Sequence, residues 1–457
     1  MTVVVLNPES ATVVFVDEHA REINREIVTR LNVDLTTHAD IPLATSSRLT
    51  ANESLSFAGF QLFGAGFVLE ESEGLRLLKS SASHAGVVRP YRNGRDLATR
   101  PRRSFVIDFG LRSESQSREF PMLFDLVRTR VKPERDANRR PSLATSWWRF
   151  GYPRGELRRA LVGLHRYIAT VETSKHRYFT FLDAGIAPDN MLTVFATDDA
   201  SMLGMLSSTI HIVWALAAGG RLGVGNDPRY QKTLSFDPFP FPDPPAALRA
   251  KIAAVAESLD AHRKSAIDRD VRVTMTGMYN VVTKLRSGAV LTPKERTIHE
   301  LAACGVLRDM HDELDALVAE AYGWPWPMTD AEILDRLVAL HDVRVEEEKQ
   351  GIVRWLRPEF QVPGQSVVAI PAELSLESAT ETADGVAAEA VPWPAEAVEQ
   401  IGAIKRLVAA ASLSVDDATK HFAGAKREIV NRHLETLAIL GEVRVVAEGR
   451  YEAATVG

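Results

Sequence analysis

The basic residues between positions 89 and 177 are the part of this sequence whose types and spacing could do chemistry. The segment holds 21 Lys and Arg against 9 Asp and Glu, a net charge of +12, whereas the whole chain carries −6, so the remaining residues carry −18. Cationic side chains bind polyanions, and aromatic rings between them can stack on bases. The interleaved rings are Tyr91, Phe105, Phe109, Trp147, Trp148, Phe150 and Tyr152. The pattern predicts a nucleic-acid ligand, with a solvated or ion-paired surface as the alternative.

The sequence signals for a cofactor site or a metal site are weaker than the signal for a nucleic-acid ligand. The glycines of residues 62–67 resemble part of a cofactor-binding loop, but the strand-like residues that follow favour a hairpin or a bulge. His311, Asp312 and Asp315 could suggest a metal, yet a solvated helix face is favoured. The single cysteine, Cys304, excludes an internal disulfide and a multi-cysteine zinc site. We predict no catalytic, cofactor-binding or metal-binding residue in this chain.

The basic loops need a scaffold to hold them in place. Residues 105–109 read as a strand between arginine-rich loops, and loops on a β scaffold can bring side chains to the edges of a nucleic-acid groove. For Trp147 and Trp148, burial in the core is favoured over a role as stacking platforms for bases. Residues 200–218 are predicted to form a buried helix, because the apolar run is short for a membrane span and contains polar residues.

The N-terminal residues predict strands followed by a helix. Val3–Val5 and Thr12–Val16 are β-branched runs that predict two adjacent strands joined by a turn. Ile23, Ile27 and Leu31 have the spacing of one helix face, which predicts an amphipathic helix over residues 20–31. A strand pair that begins at residue 3 predicts that the chain starts partway through a larger sheet.

The C-terminal half changes in character. Residues 244–361 carry apolar stripes at helical spacing, which predict a helical module. Residues 362–392 contain no Lys or Arg and are rich in Ala, Glu, Pro and Ser, which predicts a flexible acidic linker. Residues 393–457 show three helical segments and a hairpin, a pattern typical of winged-helix domains. Such units bind DNA or proteins, and the acidic residues here slightly favour protein packing.

Length and composition predict a soluble protein of the cytoplasm. The 457 residues, 45% hydrophobic, suffice for two to four domains. The N-terminus has neither the basic flank nor the small-residue cleavage site of a secretory signal.

Ordered short motifs along the chain resemble a known family. They include Trp147-Trp148-Arg149-Phe150, Ser174-Lys175-His176-Arg177, Pro188-Asp189-Asn190, Gly219-Gly220-Arg221-Leu222, Asn226-Asp227-Pro228-Arg229-Tyr230, Phe236-Asp237-Pro238-Phe239-Pro240-Phe241-Pro242 and Tyr322-Gly323-Trp324-Pro325. The motifs resemble the target-recognition and C-terminal part of the large single-chain adenine-N6 DNA methyltransferases. These are the Mme-type (type IIL) restriction-modification enzymes and their phage-defence relatives. The resemblance covers roughly residues 10–360.

The resemblance implies the specificity part of an S-adenosylmethionine-dependent enzyme. In that family a glycine loop binds the cofactor, and an Asn/Asp-Pro-Pro-Tyr/Phe tetrapeptide holds the flipped adenine. Neither motif is present in this chain, and the nearest string, Asp243-Pro244-Pro245-Ala246, lacks the aromatic residue. The implied cofactor therefore belongs to a missing catalytic half. The implied partners are double-stranded DNA and a separate or missing methyltransferase half, with no membrane.

The predicted fold is an α+β multidomain protein with five parts. Residues 1–50 are the end of a catalytic-domain-like sheet with its connector, and residues 51–243 are a mixed, β-rich target-recognition domain. Residues 244–361 are the helical module, 362–392 the linker and 393–457 the winged-helix-like unit.

Basic side chains on the loops are the predicted DNA contacts. They are Arg92, Arg95, Arg102, Arg139, Arg140, Lys175, His176 and Arg177. Some would hold phosphates and others would read base edges in the major groove. Two alternatives stay open: a methyltransferase that is active by itself through an unfamiliar site, and a protein-interaction scaffold whose basic region grips an acidic partner.

Overall fold

The chain divides into two compact units, Met1–Leu374 and Ser375–Gly457. The computed structural model describes residues 2–6, 11–16, 22–28, 41–222, 227–362, 391–392, 400, 403–404, 407–408, 413–423, 426–439, 443–446 and 450–453. Both helices and mixed sheets are present, so the predicted α+β class is confirmed.

The first unit contains short helices among its strands and long helices after residue 245. In chain order the helices are α1 Ile41–Ala44, α2 Glu71–Ser80, α3 Gly94–Ala98, α4 Glu114–Ser117, α5 Pro121–Arg130, α6 Lys132–Asp136, α7 Pro141–Thr145, α8 Gly155–Leu161, α9 Ala200–Ser207, α10 Thr209–Ala218, α11 Lys232–Ser235, α12 Ala246–Arg269, α13 Met275–Ser287, α14 Pro293–Ala302, α15 Cys304–Tyr322, α16 Asp330–Lys349 and α17 Pro358–Gln361.

The strands of the first unit are short. They are β1 Thr2–Leu6, β2 Ala11–Val16, β3 Glu22–Val28, β4 Ser56–Ala58, β5 Val68–Leu69, β6 Val88–Arg92, β7 Phe105–Ile107, β8 Arg166–Val171, β9 Thr180–Asp183, β10 Ala187–Pro188, β11 Leu192–Phe195, β12 Arg221–Leu222 and β13 Asp227–Pro228. Strands β4 to β11 form two four-stranded sheets, in the orders β10-β6-β7-β5 and β4-β11-β8-β9.

One continuous apolar core joins these two sheets to the long helices. Strand β11 pairs antiparallel with β8, and Val194 lies opposite Ala169 with both side chains fully buried. Trp147 and Trp148 are 5% and 8% exposed, so the prediction that they are core residues is confirmed. The basic loops are therefore attached to a well-packed scaffold.

The N-terminal residues form strands throughout their described part, and the helix predicted over residues 20–31 is wrong. Strand β2 pairs antiparallel with β1 and with β3, and β3 occupies residues 22–28. Ile23 and Ile27 lie four residues apart, which suits one helix face but is also two repeats of a strand. The spacing therefore did not distinguish the two structures.

The apolar run at 200–218 is largely buried, except at its end, where Leu216 is 42% exposed, and it is not a single helix. Helices α9 and α10 meet at Ser208, whose backbone is extended (φ −71°, ψ 153°), and the two axes are bent by 61°. The Ser208 hydroxyl accepts from the His211 amide and caps α10, a common way to start a new helix. Among the described residues no single helix has the length and hydropathy of a membrane span, although this bent pair passes that test on length and composition.

The face of α15 with His311 and Asp315 is covered by other helices. His311 is 6% exposed and Asp315 is 2% exposed, so the prediction of a solvated face is wrong for both. The Asp315 carboxylate accepts from the Thr209 amide and hydroxyl, each at 2.6 Å, and the Tyr279 hydroxyl lies 2.9 Å from His311 Nε2. A helical pattern identifies one apolar stripe, and here the polar stripe beside it is buried as well.

The second unit has its own small core. Its elements are β14 Val391–Pro392, α18 Val415–His421, β15 Phe422–Ala423, α19 Arg427–Ile439, β16 Val443–Val446 and β17 Arg450–Ala453. The Ser414 and Asp417 side chains form a capping box at the start of α18, and β16 pairs antiparallel with β17. The predicted linker lies almost wholly outside the described residues, and so does much of the first predicted helix. The winged-helix assignment stays a prediction.

Candidate nucleic-acid interface

Adjacent backbone segments form a row that starts at Arg92, one of the predicted DNA contacts, and ends at Tyr152. The Asp189 amide donates to the Arg92 carbonyl at 2.8 Å. Asp189 also forms an isolated β-bridge with Phe60, and the next residue, Gln61, forms one with Tyr152. At about 4.8 Å for each strand-to-strand step, Tyr152 lies on the order of 15 Å from Arg92. The row therefore links Arg92 to Tyr152, whose ring packs against the Phe63 ring that Arg140 covers.

Gly59 allows this row to close. A Cβ atom at position 59 would lie 2.2 Å from the Asp189 carbonyl oxygen and 2.6 Å from that of Pro188. Both obstacles are backbone atoms, which cannot swing away as a flexible side chain can. This requirement is tertiary, and nothing in the local sequence around Gly59 indicates it.

The first group of predicted contacts lies around α3. Arg95 is exposed on this short helix, and within the described residues its guanidinium has no hydrogen-bond or ion-pair partner. Arg102 forms two bonds to the buried Asp96 carboxylate, at 2.9 and 3.1 Å, and the Asp96 side chain also caps α3 through Asn93. Arg92 is half-buried, and burial lowers the pKa of its guanidinium. Arg95 is the most available cation of this group.

Lys175 and His176 converge on one residue of helix α13. Lys175 Nζ lies 2.7 Å from Asn280 Oδ1, and His176 Nε2 lies 2.8 Å from the same oxygen. An ammonium group can only donate, so Asn280 must present its oxygen, and His176 must therefore carry a proton on Nε2. Burial lowers the pKa of His176 more than the Asn280 bond raises it, so the ring is neutral at pH 7.

Arg177 differs from its neighbours because it is buried. It is 7% exposed, and its guanidinium donates to Val171, Glu172 and Pro228 carbonyls and to the Thr170 hydroxyl. Burial lowers its pKa to about 10, so it stays charged at neutral pH. This side chain holds the 172–177 segment against β13.

Arg139 and Arg140 lie on the exposed turn between α6 and α7. The Arg140 guanidinium lies 5.2 Å from the centre of the Phe63 ring, and that ring packs against Tyr152 at 5.7 Å. Arg154 lies 5.3 Å from the centre of the Tyr152 ring. Each ring therefore packs against one guanidinium, an arrangement that orients the arginine. Arg154 also donates from Nε to the Gly59 carbonyl at 3.3 Å.

Two of these residues have strained backbones. Phe63 has φ +49° and Arg154 has φ +54°, in the left-handed region that non-glycine residues rarely adopt. Arg135 stabilises the backbone at Phe63 from its buried side. It is 1% exposed, and it donates to the Phe63 carbonyl at 2.8 Å and to the Leu62 carbonyl at 2.7 Å. Such strain is common at ligand-binding sites.

Not every arginine of the basic segment is available to a ligand. Arg89 and Arg158 both bind the buried carboxylate of Asp108, at 3.0 and 2.7 Å. Burial by itself would raise the pKa of Asp108, but the two guanidinium groups outweigh it and hold the pKa at about 2. The surface charge is therefore smaller than the net charge of the sequence segment.

The interface contains residues that sequence reasoning missed. Asn280, Phe63 and Arg154 lie outside the predicted set, and Asn280 and Phe63 also lie outside the basic segment. Phe63 and Arg154 are identified by their positive φ values, and Asn280 by hydrogen bonds to residues about 100 positions away in the same chain. Neither feature leaves a local signal in the sequence. Among the described residues no group of three or more His, Cys, Asp or Glu side chains is arranged to hold a metal. The interface presents cationic and amide hydrogen-bond donors, which can bind phosphate oxygens and the acceptor atoms of base edges.

Comparisons with known proteins agree with this picture. The sequence model of the MmeI target recognition domain family matches residues 43–243. The solved structure of the type IIL restriction-modification enzyme MmeI in complex with DNA shares the fold, with a TM-score of 0.52 and 17% sequence identity. The match covers 75% of this chain and 42% of that one, so the present chain spans less than half of that enzyme. No curated protein matches the sequence significantly.

Proposed function

We propose, from the premise that residues 43–243 belong to the family of MmeI target recognition domains, that this chain recognises a specific sequence in double-stranded DNA. The observation that carries the proposal is a set of exposed cations, Arg95, Arg139, Arg140 and Lys175, on loops and short helices of a packed scaffold, with Lys175 and His176 meeting at Asn280. A cationic edge on a rigid scaffold suits a duplex, because phosphate contacts set the register and base contacts select the sequence.

Roles within the interface follow from accessibility. Arg95, Arg139, Arg140 and Lys175 are exposed and suit phosphates or guanine edges. Arg92, Arg102 and His176 are partly committed to neighbouring protein atoms and suit contacts that need a fixed direction. Arg177 is buried, so we assign it a positioning role: it holds the segment that carries Lys175.

The wider assignment is the recognition part of an S-adenosylmethionine-dependent adenine-N6 DNA methyltransferase. The cofactor loop and the Asn-Pro-Pro-Tyr type of tetrapeptide do not occur in the 457 residues, so methyl transfer would require a catalytic half on another polypeptide or segment. A role in phage defence and a cytoplasmic location follow from this assignment. The proposed division is 51–243 for recognition, 244–361 for support and 393–457 for a winged-helix-like unit.

A selection experiment tests the proposal. The full chain is incubated with a library of random duplexes, and bound DNA is recovered over several rounds and sequenced. We expect one short motif to be enriched, and a double variant Arg95→Ala/Lys175→Ala to lose most of the recovery. Recovery without any enriched motif would contradict sequence recognition.

Salt dependence separates DNA binding from a protein scaffold. With about five phosphate contacts, affinity for the enriched duplex should fall a few hundredfold between about 50 and about 200 mM salt. Absent or salt-insensitive DNA binding would favour the scaffold. Incubation with labelled S-adenosylmethionine and DNA tests the other alternative, and methyl incorporation by the purified chain would contradict the need for a separate catalytic half.

A further inference from the structure

Helix α13 lies outside the matched recognition domain yet touches the proposed DNA edge at two points. The Thr276 hydroxyl donates to the Ala98 carbonyl of α3 at 3.0 Å. One helical turn further on, Asn280 accepts from Lys175 and His176. Since Arg95 lies one turn before Ala98 on α3, helix α13 contacts both the helix that carries Arg95 and the segment that carries Lys175.

A buried polar network fixes the position of α13. Arg263 is fully buried and donates to the Tyr279 hydroxyl at 2.9 Å and to the Phe179 carbonyl at 2.7 Å. Arginine can only donate, so the Tyr279 hydroxyl accepts from Arg263, and it also makes a hydrogen bond of 2.9 Å with His311 Nε2. The Tyr279 ring also stacks on Tyr178 with centres 5.8 Å apart. Asn280, the next residue, is therefore held on a rigid support.

The hydrogen-bonding capacity of Asn280 is only half used. Its oxygen accepts two bonds, while its Nδ2 amino group donates to no atom of the described residues. The side chain is half-buried and borders the exposed Lys175. A fixed amide donor with cationic neighbours presents hydrogen-bond donors in one direction, which suits the phosphate oxygens or base acceptors of a duplex.

We infer that Asn280 contacts DNA through its amino group, so that the interface extends beyond the recognition domain onto the helical module. This inference rests on the proposed DNA recognition. It assigns α13 two tasks: the Asn280 oxygen orients Lys175 and His176, and the Asn280 amino group binds the same duplex that they bind.

Asn280→Asp separates the two tasks. The carboxylate keeps an acceptor for Lys175 and His176, so a residue that only positions the loop would tolerate the change. A residue that faces DNA would lose a donor and gain a charge that repels phosphate. We expect the dissociation constant for the enriched duplex to rise about tenfold at low salt, which corresponds to about 1.4 kcal/mol. The deficit should shrink as salt screens the repulsion.

Controls keep the result interpretable. Val290→Asp adds the same charge at a side chain that is 86% exposed, at least about 10 Å further along from Asn280 beyond the end of α13, and should leave affinity unchanged. The thermal midpoint of Asn280→Asp should match that of the wild type, and a raised His176 pKa, read by NMR, would show that the new carboxylate meets the loop.

The outcomes distinguish the two proposals. If the wild type shows no salt-dependent, sequence-selective binding, the proposed function fails and this inference fails with it. If the wild type binds selectively and Asn280→Asp binds equally well, the proposed function stands and the contact by Asn280 is refuted.

Discussion

The arginines of the first unit differ by region, and the difference is in what their guanidinium groups bind. An inner set satisfies backbone carbonyls in the core: Arg135, Arg263 and Arg357 are 1%, 0% and 7% exposed. Arg357, for example, donates to the Ala160 and Ala196 carbonyls at 2.7 and 2.9 Å. An outer set, which includes Arg95 and Arg139, lies exposed on helices and turns at the candidate interface.

The comparison shows that net charge in a sequence segment is not the charge offered to a ligand. A buried arginine holds several carbonyls at once because its donors form a planar fork, so it acts as a structural clamp. An exposed arginine keeps those donors for a partner. The two sets should therefore respond differently to mutation: inner variants should lose stability, and outer variants should lose DNA affinity.

The largest expected effect is on the inner ion pair of Asp108. Asp108→Asn leaves Arg89 and Arg158 without a counter-charge in a buried site, which should lower the free energy of unfolding by about 4 kcal/mol in urea denaturation. The control Asp125→Asn removes an exposed carboxylate that pairs with Arg128, and should change stability by less than about 0.5 kcal/mol.

The same pair predicts a pH dependence. The folded pKa of Asp108 is depressed to about 2, against about 3.9 for an unfolded aspartate. Its stabilising contribution is therefore complete above about pH 4 and is lost as pH falls toward about 2. The stability gap between wild type and Asp108→Asn should narrow over that window, and a gap independent of pH would contradict the ion pair.

The second largest loss of stability is expected for substitution of Arg135. Arg135→Met removes the donors of the Leu62, Phe63 and Arg149 carbonyls and should lower stability by about 3 kcal/mol, because buried carbonyls are left unpaired. Arg139→Met, four residues away and exposed, is the matched control and should be nearly neutral in the same denaturation experiment. Equal losses for both variants would erase the distinction between inner and outer arginines.

An outer cation should behave in the opposite way. Lys175→Met should leave the thermal midpoint unchanged, weaken duplex binding about threefold to tenfold and reduce the salt slope by about 0.9. Fluorescence anisotropy over a salt series measures both quantities. Lys251→Met, an exposed lysine on α12, serves as the control, and an equal change there would indicate a diffuse charge effect.

The smallest effect concerns His176. Because burial depresses its pKa, the ring is neutral at pH 7 and gains a proton only below its ordinary range. Protonation adds a charge beside DNA, so affinity should rise about twofold as pH falls below the ordinary histidine pKa of about 6.5. His176→Gln should flatten this slope, and an unchanged slope would place the titrating group elsewhere.

Part of the fold and of the site was predictable from the sequence. The α+β class, the buried Trp147 and Trp148, and the helices after residue 245 follow from composition and periodicity. The helix predicted over 20–31 failed because a spacing of four suits a strand as well. The solvated face predicted for α15 failed because His311 and Asp315 pack against helices that are distant in the chain.

The sequence by itself determined which segment is cationic, which residues carry that charge, and which family residues 43–243 resemble, because charge, residue type and motif order are local properties. Tertiary structure alone decided that Arg177 and Arg135 serve the core, that Gly59 must lack a side chain, and that Asn280 meets Lys175 and His176. Those outcomes depend on contacts between segments far apart in the chain, and no local pattern encodes which segments will meet.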